Sequence, residues 1–309
     1  MTFVGLGIGL LLADAYRVQT FPPVAYYVTL QFIPRFWRGL LAIGVGLSLG
    51  TVTFMGLNRS LIGLLVPTYR GNVAELMRSR RILARGPRIT VLGGGTGLSS
   101  LLRGLKEYTA NIAAIVTVAD DGGSSGRLRR ELGVLPPGDA RQCITALADA
   151  EPLVSELFEY RFKAGSPMEG HSFGNLFIAA MADITGNFEH ALSEVSRVLA
   201  VRGRILPSTL QDAVLAAEYD DGVVVRGESR IARHGSQIRR IRLEPTGTNN
   251  GRAQSPIRAY DEAIRAILDC DMIVVGPGSL YTSLLPNLLL PEIVSAISAS
   301  RAPVCYVCN

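Results

Sequence analysis

The sequence predicts an α/β domain with a mostly parallel sheet, preceded by an N-terminal transmembrane helix or hairpin. Three observations lead to this prediction. The 309 residues are 48% hydrophobic and only 18% charged, which is less charge than a soluble enzyme usually carries. Residues 39–57 contain no charged side chain. From residue 88 onward, short apolar runs alternate with helical periods, and three of these runs end in glycine-rich loops.

The N-terminal segment, residues 1–66, is predicted to be a membrane anchor. Residues 39–57 approach the length of about 20 apolar residues that crosses a bilayer, and residues 1–13 form a second, partial span. Trp37 and the arginines on both sides resemble interfacial anchors. A signal peptide is disfavoured because no basic region precedes the first apolar run. A buried core helix remains the alternative for residues 39–57.

The arginines predict the orientation of this anchor. Residues 1–88 hold ten Arg and two acidic residues, whereas residues 89–309 hold 21 basic and 24 acidic residues. Residues 67–87 form a basic helix or linker, so the positive-inside rule places the following domain on the cytoplasmic side of the cell (inner) membrane. The mildly acidic remainder excludes a general nucleic-acid surface. The four cysteines are interpreted as small core residues in a reducing compartment.

The first glycine-rich loop follows the apolar run at 88–92 and precedes a helical period. It consists of Gly93, Gly94, Gly95, Thr96 and Gly97. Such a loop lets a phosphate approach the backbone amides at the positive end of a helix. Leu98 stands where a dinucleotide fingerprint has its third glycine, and no Walker lysine follows. A tight strand-to-helix connection explains the loop equally well.

The second loop follows the apolar run at 111–119. It begins with Asp120, Asp121, Gly122, Gly123 and Ser124. Adjacent carboxylates at a strand end can bind a ribose hydroxyl, hold Mg²⁺ or orient a nucleophile. Ordinary turn chemistry is the alternative, because Asp and Gly are common in loops.

Three further segments supply polar groups. Asp139 lies at a helix start after two prolines, and His171 and Asn175 lie at a loop-to-helix junction. Helix capping is the alternative role at that junction. The third loop follows the run at 271–275 and contains Gly278, Ser279 and Tyr281, whose ring is able to stack on a base. Because all three loops follow strands, they are predicted to line one crevice.

Together these segments resemble the CofD-like superfamily and, within it, the YvcK-type gluconeogenesis factors. The matching segments are GGGTGLS (93–99), VTVADDGGSSGRLR (116–129), LPPGDAR (135–141), GHSFGN (170–175), VRGRILP (201–207), GES (227–229) and GPGSLYTSLLPNLL (276–289). They occur in family order across residues 88–309, and membrane-anchored members of the family are also known.

The resemblance implies a Rossmann-like three-layer domain that binds a UDP-sugar, such as UDP-N-acetylglucosamine or UDP-glucose. It associates the chain with gluconeogenic growth, cell shape and peptidoglycan precursor supply. Motif matching assigns Thr96 and its glycines to phosphate or sugar and Asp120 and Asp121 to ribose or Mg²⁺. It assigns Asn175, Ser279 and Tyr281 to the wall of the same cleft.

Three functions follow from these observations. The leading interpretation is a regulator that binds without turnover, because the sequence offers no evident nucleophile–base pair. The alternative is a Mg²⁺-dependent transferase that moves a phospholactyl group from a nucleotide diphosphate donor, as CofD relatives do. An NAD-dependent dehydrogenase is disfavoured by the incomplete fingerprint. We also expect a homo-oligomer, a protein partner in envelope synthesis, and a longer C-terminal region than the one ending at Asn309.

Overall fold

The computed structural model describes residues 32–65, 81–149, 152–166, 168–231, 233–246 and 256–308. The chain divides into two units, Met1–Glu75 and Leu76–Asn309, which are described separately. The predicted partial span at residues 1–13 lies outside the described residues, as does most of the predicted basic segment.

The N-terminal unit contains one long helix, α1 (Arg35–Leu65). Within α1, the segment Gly39–Leu57 coincides with the predicted span and is long and apolar enough to cross a membrane. None of this segment is buried inside the protein. The hydroxyls of Thr51 and Thr53 donate to carbonyls one turn earlier, at 2.7 and 2.8 Å. These bonds satisfy polar side chains within the helix itself, which is compatible with an apolar surrounding.

The second unit is built on a parallel sheet of five strands in the order β3-β2-β1-β7-β8. Its strands are β1 (Ile89–Gly93), β2 (Ile112–Val116), β3 (Arg204–Pro207), β7 (Met272–Val275) and β8 (Val304–Tyr306). β1 and β2 are buried along their whole length, as expected of strands covered on both faces. The apolar runs predicted as strands correspond to β1, β2 and β7, so these predictions are confirmed.

Helices cover both faces of this sheet. The helices of the second unit are α2 (Gly95–Leu105), α3 (Gly123–Leu132), α4 (Gly138–Leu147), α5 (Pro152–Glu159), α6 (Phe173–Thr185), α7 (Phe188–Val198), α8 (Glu228–Ile231), α9 (Asp261–Leu268), α10 (Leu285–Leu288) and α11 (Pro291–Ala299). Val91 of β1 packs in one core cluster with Leu98 and Ile144, whereas its neighbour Leu92 packs in another with Ile293. Successive strand residues point to opposite faces, so the sheet is the middle of three layers. The predicted α/β class is confirmed.

A small antiparallel sheet is not among the elements predicted from the sequence. Its strands, β4 (Ala213–Tyr219), β5 (Val224–Arg226) and β6 (Ile238–Pro245), lie in the order β5-β4-β6. Helix α8 follows β5, and the Tyr219 hydroxyl donates to the Ile231 carbonyl at 2.9 Å. This buried bond fixes α8 on β4.

Of the four cysteines, one is buried as predicted, Cys270 is partly buried, and two are exposed. Cys143 of α4 is fully buried in the core. Cys305 and Cys308 are exposed, although they were predicted to be core residues. Cys305 is exposed because it lies in β8, an edge strand whose residues are all exposed, and Cys308 follows that strand.

Candidate functional site

The loops after β1, β2 and β7 meet at one edge of the parallel sheet, because β1 lies between the other two strands. We refer to the carboxyl edge of these strands and the loops that follow them as the crevice. The first and third loops are in close contact: a Cβ atom added to Gly97 would lie 2.8 Å from the Pro277 carbonyl oxygen. The structure therefore brings together the three glycine-rich loops found in the sequence.

The first loop leads into α2 without a side-chain cap. Gly94 is the N-cap residue and, being a glycine, supplies no capping side chain. Gly95 has φ +66°, in the left-handed region that favours glycine. Thr96 is exposed in the first turn of α2, whereas Leu98 is completely buried in the core. Leu98, at the position of the fingerprint's third glycine, therefore serves core packing. The backbone amides at the start of α2 have the arrangement that binds anions at helix N-termini.

Asp139, in the first turn of α4, lies directly against this loop. Its carboxylate accepts a hydrogen bond from the Gly95 backbone N–H, and its Oδ2 atom is beside Gly94. Removal from water, together with the nearby Asp120 carboxylate, raises the pKa of Asp139 to about 7. A substantial fraction of Asp139 therefore carries a proton near neutral pH.

The two aspartates of the second loop have different partners. Asp120 Oδ1 accepts from the Gly122 amide at 2.9 Å, and burial raises the pKa of this carboxyl. Asp121 Oδ1 accepts from the Ser229 amide of α8 at 2.8 Å. Gly122 is the N-cap residue of α3, where again no side chain caps the helix. Asp120 therefore organises its own loop, while Asp121 connects that loop to the antiparallel sheet.

Glu228 is a crevice residue that sequence reasoning missed. It follows Gly227, whose φ is +98°, and its carboxyl bonds to the side chain of Thr282 in the third loop. Burial, followed by the charges of Asp139 and other crevice carboxylates, raises the pKa of Glu228 to about 8. The GES segment belongs to the family resemblance, but nothing in its spacing indicated that the carboxyl reaches the crevice.

His171 and Asn175 form a buried polar group beside the second loop. His171 Nδ1 lies 3.0 Å from the Ser124 hydroxyl, and burial lowers the pKa of this histidine. Asn175 Oδ1 accepts from Arg141 Nε at 3.1 Å. Ser172 is the N-cap residue of α6 and bonds to the Asn175 amide. Capping therefore belongs to Ser172, and the pairing of Ser124 with His171 supplies a hydroxyl–imidazole contact that the sequence did not reveal.

The third loop is joined to the first by a buried side chain. Asn287, fully buried, donates from Nδ2 to the Gly93 carbonyl at 3.1 Å and to the Ser283 carbonyl at 2.9 Å. Gly278 packs against Ser283. A Cβ atom added to Gly278 would also lie 3.5 Å from the Gly94 carbonyl oxygen, so its backbone lies close to the first loop. Ser279 and Tyr281 are exposed, which leaves the hydroxyl and the ring accessible. The predicted residues of this loop thus lie at the crevice mouth.

The carboxylates do not form a metal cage by themselves. Among the described residues, no group of three or more His, Cys, Asp or Glu side chains is arranged to hold a metal ion. Asp120 and Asp121, predicted to bind Mg²⁺, are engaged with separate backbone amides. Mg²⁺ is commonly held by one or two carboxylates together with substrate phosphates. A Mg²⁺ ion bound by Asp120 or Asp121 would therefore need further oxygens from the ligand.

Comparison with known proteins identifies relatives of the whole second unit. Residues 89–309 match the family model described as 2-phospho-L-lactate transferase CofD. A putative gluconeogenesis factor from Nostoc is 53% identical over 282 residues, covering 90% of this chain and 59% of that protein. The gluconeogenesis factor of Bacillus subtilis is 52% identical over 227 residues, covering 74% of this chain and 69% of that protein.

A solved structure shares the fold. The crystal structure of a UPF0052-family protein from Bacillus halodurans has a TM-score of 0.68 and 49% sequence identity, covering 73% of this chain and 69% of that one. The chain spans 51% to 69% of the length of the curated gluconeogenesis factors of Clostridium acetobutylicum, Nostoc and Bacillus subtilis. With its parallel sheet, glycine-rich loops and relatives at about 50% identity, the chain belongs to the CofD family, among the gluconeogenesis factors.

Proposed function

We propose that the protein is a membrane-tethered regulator that binds a nucleotide sugar in the crevice on the cytoplasmic side. The observation that carries this proposal is the meeting of two helix N-termini, those of α2 and α3, at one sheet edge, each with a glycine as its N-cap residue. Their amides and positive dipole ends suit a diphosphate. In this proposal Asp120 and Asp139 accept hydrogen bonds from sugar hydroxyls, and the ring of Tyr281, which is exposed, stacks on uracil.

The regulatory role draws on the relatives, which are named gluconeogenesis factors. In this proposal, UDP-N-acetylglucosamine or UDP-glucose reports precursor supply, and the occupied protein acts on an envelope-synthesis partner. Gluconeogenic growth, cell shape and peptidoglycan synthesis would then respond to the same signal.

The membrane tether is proposed from α1. Its segment Gly39–Leu57 is uncharged and exposed, and six arginines between residues 59 and 85 follow it. The alignment with the Nostoc relative covers 90% of the chain, which is longer than residues 88–309. The alignment therefore includes part of the N-terminal segment. The arginine excess favours a cytoplasmic location for the second unit.

A CofD-type transferase is the second candidate, because the family model carries that description. Two carboxyl groups with pKa values near neutrality, Asp139 at about 7 and Glu228 at about 8, favour it, since such groups can donate and accept protons at working pH. Asp120 and Asp121 would hold Mg²⁺ with the donor phosphates, and the helix N-termini would stabilise charge on the transferred group.

Calorimetric titration of the full chain in detergent separates these functions. We expect saturable heat with UDP-N-acetylglucosamine, weaker or no heat with GDP and NAD, and unchanged ligand after incubation with Mg²⁺. Binding of GDP in preference to the UDP-sugar would contradict the sensor and favour the transferase. Conversion of the bound nucleotide sugar into a product would also contradict binding without turnover.

A further inference from the structure

Glu228 lies where three parts of the crevice converge. Its carboxyl bonds to Thr282 of the third loop, and it is within electrostatic range of Asp139 of α4 and of Asp120 and Asp121 of the second loop. It is partly buried, so it retains access to the crevice.

Asp121 holds the backbone that carries Glu228. Its Oδ1 atom accepts from the Ser229 amide at 2.8 Å, directly after Glu228 in the chain. Its Oδ2 atom lies against Gly227, where an added Cβ would overlap the carboxylate. The other end of α8 is fixed by the Tyr219 hydroxyl on the Ile231 carbonyl. Asp121 thus holds the turn that places Glu228 by one hydrogen bond through Oδ1, and its Oδ2 atom packs closely against the same turn.

We propose that Glu228 contacts the bound ligand and that Asp121 is a positioning residue that holds Glu228 at the crevice through α8. This inference rests on the nucleotide-binding function proposed above. It assigns a ligand contact to the antiparallel sheet, and it separates the two adjacent aspartates into different roles. Asp120 remains available to the ligand, whereas Asp121 acts through the Ser229 amide.

The charge state of Glu228 defines what this contact does. The groups that face it are Asp139 from α4, Asp120 and Asp121 from the second loop, and Thr282 from the third loop. Burial and these carboxylates raise its pKa to about 8, so near pH 7 the side chain is mainly a neutral acid that can donate to a phosphate or carbonyl oxygen. Above that pKa the carboxylate repels a phosphate. Ligand affinity contributed by Glu228 is therefore present below about pH 8 and is lost as the pH rises through it.

The test is calorimetric titration of UDP-N-acetylglucosamine into the full chain and matched variants between about pH 6 and 8.5, a range that brackets the raised pKa of Glu228. Glu228→Ala should weaken binding at pH 7 by about tenfold to a hundredfold, as expected for loss of a buried hydrogen bond to a charged group. Glu228→Gln resembles the neutral acid and should retain the wild-type affinity at pH 7. Its affinity should not fall as the pH rises through about 8, because the amide does not ionise. Glu218→Ala is the control, because that carboxylate of the same sheet pairs with Arg239.

The second pair of variants tests the role of Asp121. Asp121→Asn keeps an oxygen for the Ser229 amide and should bind almost as wild type does, whereas Asp121→Ala should lose affinity as Glu228→Ala does. Equal losses in Asn and Ala would mean that Asp121 touches ligand or metal, which overturns the positioning role. Wild-type affinity in Glu228→Ala, which leaves the Asp121 tether intact, would overturn the ligand contact alone. Absence of binding by the wild type would overturn the nucleotide-binding function as well.

Discussion

Gly97 occupies a position at which a single methyl group matters. It lies in the first turn of α2, and an added Cβ would be 2.8 Å from the Pro277 carbonyl oxygen and 3.0 Å from its carbonyl carbon. Both atoms belong to backbone, which cannot move aside cheaply. Glycine at this position therefore allows the first and third loops of the crevice to touch.

We predict that Gly97→Ala lowers the free energy of unfolding by about 1–3 kcal/mol, because the loops must separate to admit the methyl group. Gly104→Ala is the matched control in the same helix, since its Cβ would meet nothing within 4 Å. It should stabilise the protein by about 0.5–1 kcal/mol through helix propensity. Urea denaturation followed by circular dichroism measures both. Equal stability of the two variants would contradict the close contact.

The individual residues differ in how far the sequence could reveal them. The loops that directly follow the predicted strands contain Thr96, Asp120 and Ser279. The order of strands and loops was therefore enough to place these residues at the carboxyl edge of the sheet. Glu228 and Asn287 could not be found in this way, because they reach the crevice from elements distant in the chain. Their contacts, to Thr282 and to the Gly93 carbonyl, depend on tertiary packing that no local pattern encodes.

The elements of the parallel sheet were predictable, and those of the antiparallel sheet were not. β1 and β2 are continuous apolar runs because both faces are buried. The sequence of β6, IRRIRLEP, lacks the regular apolar–polar alternation that predicts a half-buried strand, and none of its residues is fully buried. β4 contains three alanines, which carry little strand preference. The sheet that presents Glu228 was therefore absent from the predicted architecture.

The helix starts illustrate the same limit. The glycines before α2 were predicted to bind phosphate, and the structure shows that the N-cap residues of α2 and α3 are both glycines, which supply no capping side chain. The engagement of the Gly95 amide by Asp139 could not be foreseen, since it requires α4 to lie beside the first loop. A ligand phosphate at the start of α2 would meet this carboxylate.

At the scale of the whole molecule, the proposed membrane tether makes a direct prediction. Deleting residues 1–66 removes α1 and should release the protein into the soluble fraction, because the remaining unit has its own core around a five-stranded sheet. Deleting residues 1–31 leaves Gly39–Leu57 intact and should leave the protein in the membrane. Fractionation with a carbonate wash measures both. Retention of the 1–66 deletion in washed membranes would contradict the tether.

The central claim is that the crevice binds a nucleotide sugar at the start of α2. Its most direct test is the affinity for UDP-N-acetylglucosamine of two tryptophan variants on this helix. Thr96 is exposed in the first turn, and Ser100 is exposed one turn further on. We predict that Thr96→Trp abolishes binding without changing the unfolding temperature, whereas Ser100→Trp binds as wild type does. Wild-type affinity in Thr96→Trp would contradict the claim.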